Sequence, residues 1–404
     1  MPTFAYVVKD KAGKTHSGSL EVQSRNALIE QLWKQEFVVL SIEERAAGKG
    51  AILKIGQPKV KAEHLVIFSR QLATMVDSGI PIAPSLDVLA DQMEDRHFKQ
   101  MLKKIRDDIE AGSGLSEALG RHPKAFSDFF VNMVRAGESS GRLDEILDRV
   151  ASYLEKITAL QRKVQASLFY PAFVSVLAFG ITTFLLIVIV PKFKEIFQSL
   201  GGELPLATQL LLNLSEFMGK YLALEVFALI GLIAGLRAYV NTPGGRLWFD
   251  RISLKVPIIG KLLQKVFIAR FSRTLATLVK SGVPILSSLE IVAKTAGNKV
   301  VERAVMAARA SIKEGENIAD PLAHSRVFPT MVTRMIAVGE KTGELEKMLT
   351  KIADFYENEV DAAVTALTSL IEPLVIAVLG VVIGGIVVAL FMPIFKISTL
   401  VSHY

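Results

Sequence analysis

Along the chain, the longest hydrophobic segments are two stretches that carry no charged residue. No charged residue lies between Lys163 and Lys192, and residues 171–190 are almost wholly apolar. Residues 373–395 form a second uncharged stretch. Each is as long as the roughly 20 residues that a helix needs to cross a hydrocarbon core of about 30 Å. The pattern therefore predicts transmembrane helices at residues 171–190 and 371–395.

A third apolar stretch, residues 221–240, is interrupted by charge. Glu225 and Arg237 leave a short uncharged centre between them. Both lie nearer the ends, where a long charged side chain can reach the headgroups. Taken alone, the stretch is compatible with a transmembrane helix or with a buried or interfacial hairpin.

The remainder of the chain contains an internal duplication. Residues 68–89 and 271–292 align without a gap and are identical at 13 of 22 positions. Further on, Gly137-Glu138 recurs as Gly339-Glu340. Fixed-distance self-similarity of this kind indicates repeated structural units. Equivalent repeats should fold on the same side of the membrane, so the segment between them must cross back, which favours a helix at 221–240.

Positive charge gives the orientation of the three predicted spans. Residues 241–265 carry five Lys or Arg against one Asp, whereas residues 191–220 carry three Lys against three Glu. Because cytoplasmic flanks are enriched in Lys and Arg, residues 1–165 and 241–370 are predicted to be cytoplasmic. The connector 191–220 and the tail 396–404 are predicted to lie on the other side.

Helical periodicity predicts a bundle of six helices in each repeat, at residues 61–170 and 241–370. In the first repeat the pattern places helices at 62–77, 85–92, about 98–109, 116–119, 127–136 and 142–162. The last of these, and its equivalent at 344–370, leads directly towards a predicted span. The fold class is therefore a mainly α membrane protein with two tandem six-helix cytoplasmic bundles and three transmembrane helices.

Residues 1–45 are predicted to form a separate small α+β module. Alternating apolar residues predict strands at 4–8, 16–22 and 38–42, with a helix at 24–35 between the last two. A basic linker, residues 46–60, follows the module.

Composition argues against catalysis and against a metal site. The chain has no cysteine, and its six histidines show no i,i+4 pair. Residues 12–15 resemble the end of a phosphate-binding loop, but Val8 stands where such a loop needs its first glycine. The net charge of +7 is spread along the chain and does not indicate a nucleic-acid partner. We therefore predict no enzyme activity, no cofactor and no metal.

The repeated polar and glycine residues are candidate interaction or structural positions. Arg70 and Arg273 lie in the first helix of each repeat. Each is interpreted as a solvated arginine, as a member of an ion pair within the bundle, or as a contact for a partner. Glu138 and Glu340 follow glycines in a Gly-Glu-x-x-Gly motif. The structural interpretation has Gly137/Gly141 and Gly339/Gly343 supply a helix stop while the glutamate caps the next helix; the alternative is a functional contact.

Glu372 lies directly before Pro373 at the start of the last predicted span. One interpretation is an interfacial carboxylate that favours the positive end of the helix dipole. The other is a contact with a partner helix. Tyr170 occupies the equivalent position in the first repeat, so any role of Glu372 belongs to one half of the chain only.

The motifs together resemble a known family. Phe68-Ser-Arg-Gln-Leu-Ala-Thr, Gly137-Glu-Ser-Ser-Gly-Arg-Leu and Ile189-Val-Pro-Lys-Phe are similar to those of the type II secretion system F / type IV pilus inner-membrane platform family. The resemblance covers both repeats and the N-terminal module, and the stretch from Pro191 to Pro205 looks more like the pilus branch.

The resemblance implies a non-enzymatic platform in the bacterial cytoplasmic (inner) membrane, with a cytoplasmic N-terminus, a periplasmic connector and a periplasmic C-terminus. Its implied partners are a hexameric assembly ATPase, pilin or pseudopilin subunits, other inner-membrane assembly proteins, the lipid bilayer and further copies of itself. Two rival classes are a transporter subunit, which would need polar residues at mid-membrane, and a sensor, which would need a polar pocket inside a bundle.

Overall fold

The computed structural model describes residues 3–9, 15–21, 25–34, 37–45, 60–199 and 205–401. The chain divides into two compact units, residues 1–59 and 60–404, which are described separately.

The first unit has a three-stranded antiparallel sheet and one helix. Strand β1 lies at the centre, in the order β2-β1-β3, and the register of the β1–β3 pairing shifts between Val7 and Val8. Val8 is buried, as are Leu28 and Leu32 of the helix. Within the described residues, the predicted strands and helix fall on the observed elements, and the linker residues 46–59 lie outside the described residues. The elements are β1 (Thr3–Lys9), β2 (Thr15–Glu21), α1 (Arg25–Lys34) and β3 (Val38–Arg45).

The second unit begins with a bundle of helices whose ends follow local chemistry. The Asp95 side chain caps the third helix of the bundle by accepting from two backbone N–H groups, and Gly141 ends the fifth in a left-handed conformation. The helices are α2 (Ala62–Asp77), α3 (Ile82–Gln92), α4 (Arg96–Glu110), α5 (Leu115–Gly120), α6 (Asp128–Ser140) and α7 (Leu143–Phe184).

Two predicted boundaries in this bundle were wrong. Helix α3 begins at Ile82 and not at residue 85, because Pro84 lies in the first turn, where a missing N–H breaks no helical hydrogen bond. Helix α6 continues to Ser140 and not only to residue 136, because the first backbone position that leaves the helix is Gly141.

The core of the first bundle is built around phenylalanines. Phe68 of α2 makes edge-to-face contacts with Phe98 of α4 and with Phe126, at ring-centroid distances of 5.6 and 5.8 Å. Phe126 contacts Phe130 of α6 in the same way, at 5.1 Å. All four rings are fully buried, so one apolar cluster connects four segments of the repeat.

The second bundle repeats the six helices after one extra helix. Its buried residues belong to the same continuous core cluster as those of the first bundle. The elements are α10 (Pro243–Lys255), α11 (Ile259–Lys280), α12 (Ile285–Thr295), α13 (Lys299–Lys313), α14 (Ala319–His324), α15 (Thr330–Thr342) and α16 (Leu345–Val401).

Two helices of the described residues are long and apolar enough to cross a membrane, at Leu143–Glu195 and Leu345–Pro393. The first comprises α7, one π-helical turn at Leu185–Ile189 and the beginning of α8 (Val190–Ser199). Both run through an internal proline, at Pro171 and Pro373. The bundle helices therefore continue into the apolar segments without a break.

The described part of the segment between these two helices, up to Val240, is helical. Helix α9 (Leu206–Val240) bends by 65° between Leu206–Leu222 and Leu224–Val240, and its two parts together are long and apolar enough for one membrane span. Residues 206–220 of the predicted connector belong to this helix. Leu212 of α9 packs with Leu186 and with Ile386 of α16. The apolar side of α9 near Leu212 therefore covers part of both long helices. A crossing at 221–240 stays a prediction.

Candidate functional site

A bidentate ion pair ties the first helix of the first bundle to the long helix. Arg70 of α2 donates from Nε and Nη2 to the two carboxylate oxygens of Glu155 in α7, at 2.6 and 2.7 Å. The same guanidinium donates to Ser152 Oγ at 2.9 Å and forms a further ion pair with Asp148. Because the paired planar groups fix each other's orientation, the bridge holds α2 against α7 in one register.

The second bundle contains the equivalent bridge. Arg273 of α11 donates from Nε and Nη2 to the two oxygens of Glu357 in α16, at 2.7 and 2.8 Å. Asp354 accepts a further hydrogen bond from Arg273. Of the interpretations open for Arg70 and Arg273, the structure shows the ion pair within the bundle.

The bridges perturb the titration of their members. The hydrogen bond from Arg70 lowers the pKa of Glu155 below its ordinary value, and the hydrogen bond to Glu155 raises the pKa of Arg70. Burial by itself would lower the pKa of Arg273, but its hydrogen bonds to Glu357 and Asp354 outweigh burial and the pKa rises. Both arginines therefore stay positively charged at neutral pH.

Gly137 allows the close approach of α6 and α7. A Cβ atom at this position would lie 3.1 Å from Ile146 Cβ and 3.2 Å from Leu143 Cα. Gly339 has the same role in the second bundle, where a Cβ atom would lie 3.0 Å from Leu345 Cα. Of the four glycines predicted to supply the helix stops, Gly137 and Gly339 do not, because both lie inside their helices.

The helix stops are provided by the second glycines of the motif. Gly141 and Gly343 adopt positive φ angles of 68° and 74° at the ends of α6 and α15. Only glycine adopts this conformation without strain, so the motif fixes both the spacing and the turn before each long helix.

The glutamates of the motif cap a helix, but a different one from the helix predicted. Glu138 accepts from the backbone N–H of Ser116 at 3.2 Å, at the start of α5. Glu340 accepts from the N–H groups of Ile318 and Ala319 at 2.6 and 3.3 Å, at the start of α14. The carboxylate thus satisfies N–H groups of the preceding short helix and not those of the next long one.

Each bundle-to-helix junction therefore combines three contacts: the Arg–Glu bridge, the glycine approach and the glutamate cap. We call this set the junction. Sequence reasoning missed Glu155 and Glu357. A signal was present, since residues 155 and 357 are separated by 202 positions, the same offset that relates Glu138 to Glu340.

The two bundles also contact each other through α7 and α11. The hydroxyl groups of Tyr153 and Thr274 lie 2.9 Å apart in a buried position. Arg149 Nη1 donates to the Lys280 carbonyl at 2.7 Å and to Ser281 Oγ at 3.3 Å. Burial raises the pKa of the Tyr153 phenol. The long helix of the first bundle is thereby fixed to the first helix of the second.

Near the far end of the long helices, two hydroxyl groups join α9 to its neighbours. Ser215 Oγ donates to the carbonyl of Leu186 at 2.5 Å, within the π-helical turn. Thr208 Oγ1 donates to the carbonyl of Ala389 in α16 at 2.5 Å. A π turn displaces a helical carbonyl from its usual partner, and Ser215 supplies a donor for one such group. These residues were not predicted.

Pro373 is exposed on α16, where the helix passes through it without interruption. The side chain of Glu372 lies outside the described residues, so both interpretations of this residue stay predictions. Within the described part of the chain, no group of three or more His, Cys, Asp or Glu residues is arranged to hold a metal ion.

The fold and the junctions define a class of protein, a tandemly duplicated, mainly helical protein with apolar helices long enough to span a membrane. The family model described as Type II secretion system (T2SS), protein F, matches residues 68–191 and 271–393, and the model for the N-terminal domain of that protein matches residues 1–43. The chain belongs to the type II secretion system protein F family, as the resemblance implied.

Several curated relatives match nearly the whole chain. A type IV pilus assembly protein PilC of Thermus thermophilus is 44% identical over 402 residues, 98% of each chain. A protein of the same name from Myxococcus xanthus is 40% identical over 395 residues, 98% of this chain and 95% of the relative. A type II secretion system protein F of Vibrio cholerae is 34% identical over 409 residues, 100% of both.

Proposed function

We propose that the chain is the inner-membrane platform protein of a type IV pilus or type II secretion machine. In this role its cytoplasmic bundles receive force from a hexameric assembly ATPase, and its membrane helices pass that force to the assembly of pilin or pseudopilin subunits. The pilus branch is favoured because the pilus relatives are more similar, at 40 and 44% identity against 34% for the secretion relative.

The observation that carries the proposal is the continuity between bundle and membrane helix. Arg70 and Arg273 bridge the first helix of each bundle to α7 and α16, and these helices then run through Pro171 and Pro373 into the apolar segments. Packed cores have low compressibility, so a rigid-body displacement of a bundle is passed along such a helix. No chemical step is required of the chain.

The two long helices are suited to move together. Lys163 of α7 and Asp361 of α16 form an ion pair at 2.7 Å, just before the apolar segments. Farther along, Leu186 and Val190 pack with Ile386 and Leu390. The order of these contacts shows that α7 and α16 run side by side in the same direction. A push on either bundle would therefore act on a pair of parallel helices.

Co-purification from membranes tests the proposed partner. The full chain should retain the cell's assembly ATPase, and a chain lacking residues 61–165 should lose it while still inserting into the membrane. Retention of equal amounts of ATPase by both would contradict a role of the first bundle. Failure of the full chain to retain any ATPase would contradict the proposal itself.

A further inference from the structure

The contact between the two bundles uses two different surfaces of the repeat. We call the surface formed by the last two helices of a bundle (α6 and α7, or α15 and α16) its late face. The surface formed by its first two helices (α2 and α3, or α11 and α12) is its early face. Within the chain, the late face of the first bundle contacts the early face of the second through Tyr153–Thr274 and Arg149–Ser281. The contact is therefore heterologous, and it uses only one face of each bundle.

The late face of the second bundle has the same apolar positions, but they are exposed. In the first bundle Phe129 and Tyr153 are 1% and 7% exposed. At an offset of 202 residues, Met331 and Phe355 occupy the equivalent positions and are 42% and 46% exposed. Val338 is also exposed on this face. The duplication has kept apolar residues on a face of the second bundle that no other part of residues 60–199 and 205–401 covers.

On the early face, the apolar positions are exposed in the first bundle and buried in the second. In the second bundle Val283 and Ile291 are 8% and 5% exposed. At an offset of 203 residues, Ile80 and Val88 occupy the equivalent positions and are 38% and 46% exposed. Contiguous exposed apolar groups on a folded domain indicate an interaction surface.

Within residues 60–165 and 265–368, these positions include most of the large exposed apolar side chains, and residues 241–264 expose several more. Between residues 60 and 165, all of them lie on α2, on α3 or in the turn between the two helices. Between residues 265 and 368, all but Met306 lie on α15 or α16. The first set is Ile67, Ile80 and Val88, and the second is Met331, Val338 and Phe355.

The two free faces offer one complementary pair of charges. Arg334, Lys341 and Lys351 are exposed on α15 and α16, with the exposed Glu344 in the turn between these helices. On α2 and α3, Asp77 is exposed, whereas Asp91 is already paired with Lys99 and Lys103 of α4. Lys351 is equivalent to Arg149, and Asp77 is equivalent to Lys280, whose carbonyl accepts from Arg149. A contact that repeats the one within the chain would therefore bring Lys351 close to Asp77, with favourable electrostatics.

The membrane geometry permits such a repetition. Because α7 and α16 are parallel neighbours, the rotation and translation that superimpose the first bundle on the second keep both bundles on the same side of the membrane. We call this movement the operation that relates the two bundles. Applying the operation again places the next bundle on that side as well. A heterologous contact of this kind builds a closed ring when its rotation closes.

We propose that the late face of the second bundle in one copy of the chain binds the early face of the first bundle in another copy. The contact repeats the one inside the chain, so successive copies are joined head to tail. The occupant is a second copy of this chain, because the two free faces are duplicates of faces that already bind each other. The inference does not depend on the proposed function.

Cross-linking between separate chains tests this contact, since the chain has no native cysteine. One tagged chain carries Ser78→Cys and a differently tagged chain carries Lys351→Cys, the positions equivalent to Ser281 and Arg149. Both are exposed, so neither change disturbs the core. A short bis-maleimide applied to membranes containing both chains should give a product with both tags. As a control for geometry, Arg149→Cys with Ser281→Cys should link within one chain.

A matched pair of negative controls decides specificity. Lys104→Cys on α4 is equally exposed and lies outside both faces, so it should give little product with Lys351→Cys. Val338→Asp should reduce the mixed product to that level, whereas Met306→Asp, an exposed apolar position outside the faces, should leave it unchanged. Equal yields with Ser78→Cys and Lys104→Cys would overturn the proposal, as would products that link only like positions.

Discussion

The two junctions share a bidentate Arg–Glu bridge, but the bridges lie in different environments. The Arg273 side chain is 9% exposed and that of Arg70 is 36% exposed. The cause is the neighbouring bundle, because Arg273 lines a cavity of about 320 Å³ together with Arg149 and Tyr153 of α7. The corresponding cavity in the first bundle, about 290 Å³, is lined by Arg70 and acidic residues of its own repeat. The bridge is therefore more buried in the second bundle than in the first, and the two copies should respond differently to the same substitution.

The largest effect is expected from Arg273→Ala. Removing the guanidinium leaves Glu357, which is 24% exposed, without its cation, whereas Asp354 is 49% exposed and stays hydrated. The expected cost is up to about 3 kcal/mol, the lower end of the range for breaking a buried pair. Amide hydrogen exchange in α11 and α16 should report this loss of local stability. Unchanged exchange would show that burial by the first bundle does not strengthen the bridge.

Gly339→Ala should follow, with a loss of about 2 kcal/mol, typical of overpacking. The added Cβ would lie 3.0 Å from the backbone Cα of Leu345, which cannot move without displacing α16. Gly137→Ala should behave similarly in the first bundle. Gly380→Ala is the matched control, because nothing lies within 4 Å of its added Cβ and alanine favours the helix. Thermal unfolding in detergent would rank the three variants, and equal melting temperatures would contradict the close approach.

Arg70→Ala should cost less than Arg273→Ala, about 1 kcal/mol or below, because its bridge is partly solvated and screened. The same exchange measurement, made on α2 and α7, gives the comparison directly. An effect as large as that of Arg273→Ala would show that the difference in burial has no energetic consequence.

The smallest effect is a dependence on pH. Because Arg70 lowers the pKa of Glu155 from its ordinary value of 4.5, folding favours the ionised carboxylate. The stabilisation is complete above pH 4.5 and is lost as the pH falls through the lowered value. The difference in melting temperature between the native chain and Glu155→Gln should therefore be present at pH 7 and shrink at pH 3.5. A difference that is constant with pH would contradict an ionic bridge.

Local patterns predicted the helices better than their contacts. Helix α2 occupies Ala62–Asp77, as its apolar spacing predicts, since each position depends on near neighbours. The Arg70–Glu155 bridge joins residues 85 positions apart, and no local pattern reports such a pair. Only the duplication indicates this pairing, because both the arginine and the glutamate recur in the second repeat, at offsets of 203 and 202 residues.

The segment between the long helices was the least predictable part. Leu212 of α9 packs with Leu186 and Ile386, whereas most of the large apolar side chains of α9 are exposed. Ser215 and Thr208 are ordinary polar residues in the sequence, and their roles depend on carbonyl groups of distant helices. Contacts of this kind follow from tertiary structure and not from periodicity.

The central claim is that each bundle moves its membrane helix through an unbroken rod. Replacing residues 165–167 of α7, or the equivalent residues 367–369 of α16, with three glycines weakens the helix by about 3 kcal/mol relative to three alanines at the same positions. The two replacements have the same length and remove the same native side chains. Fibre assembly, measured at equal membrane abundance, should be abolished by glycine and retained with alanine. Normal assembly with the glycine replacements in both helices would contradict the claim.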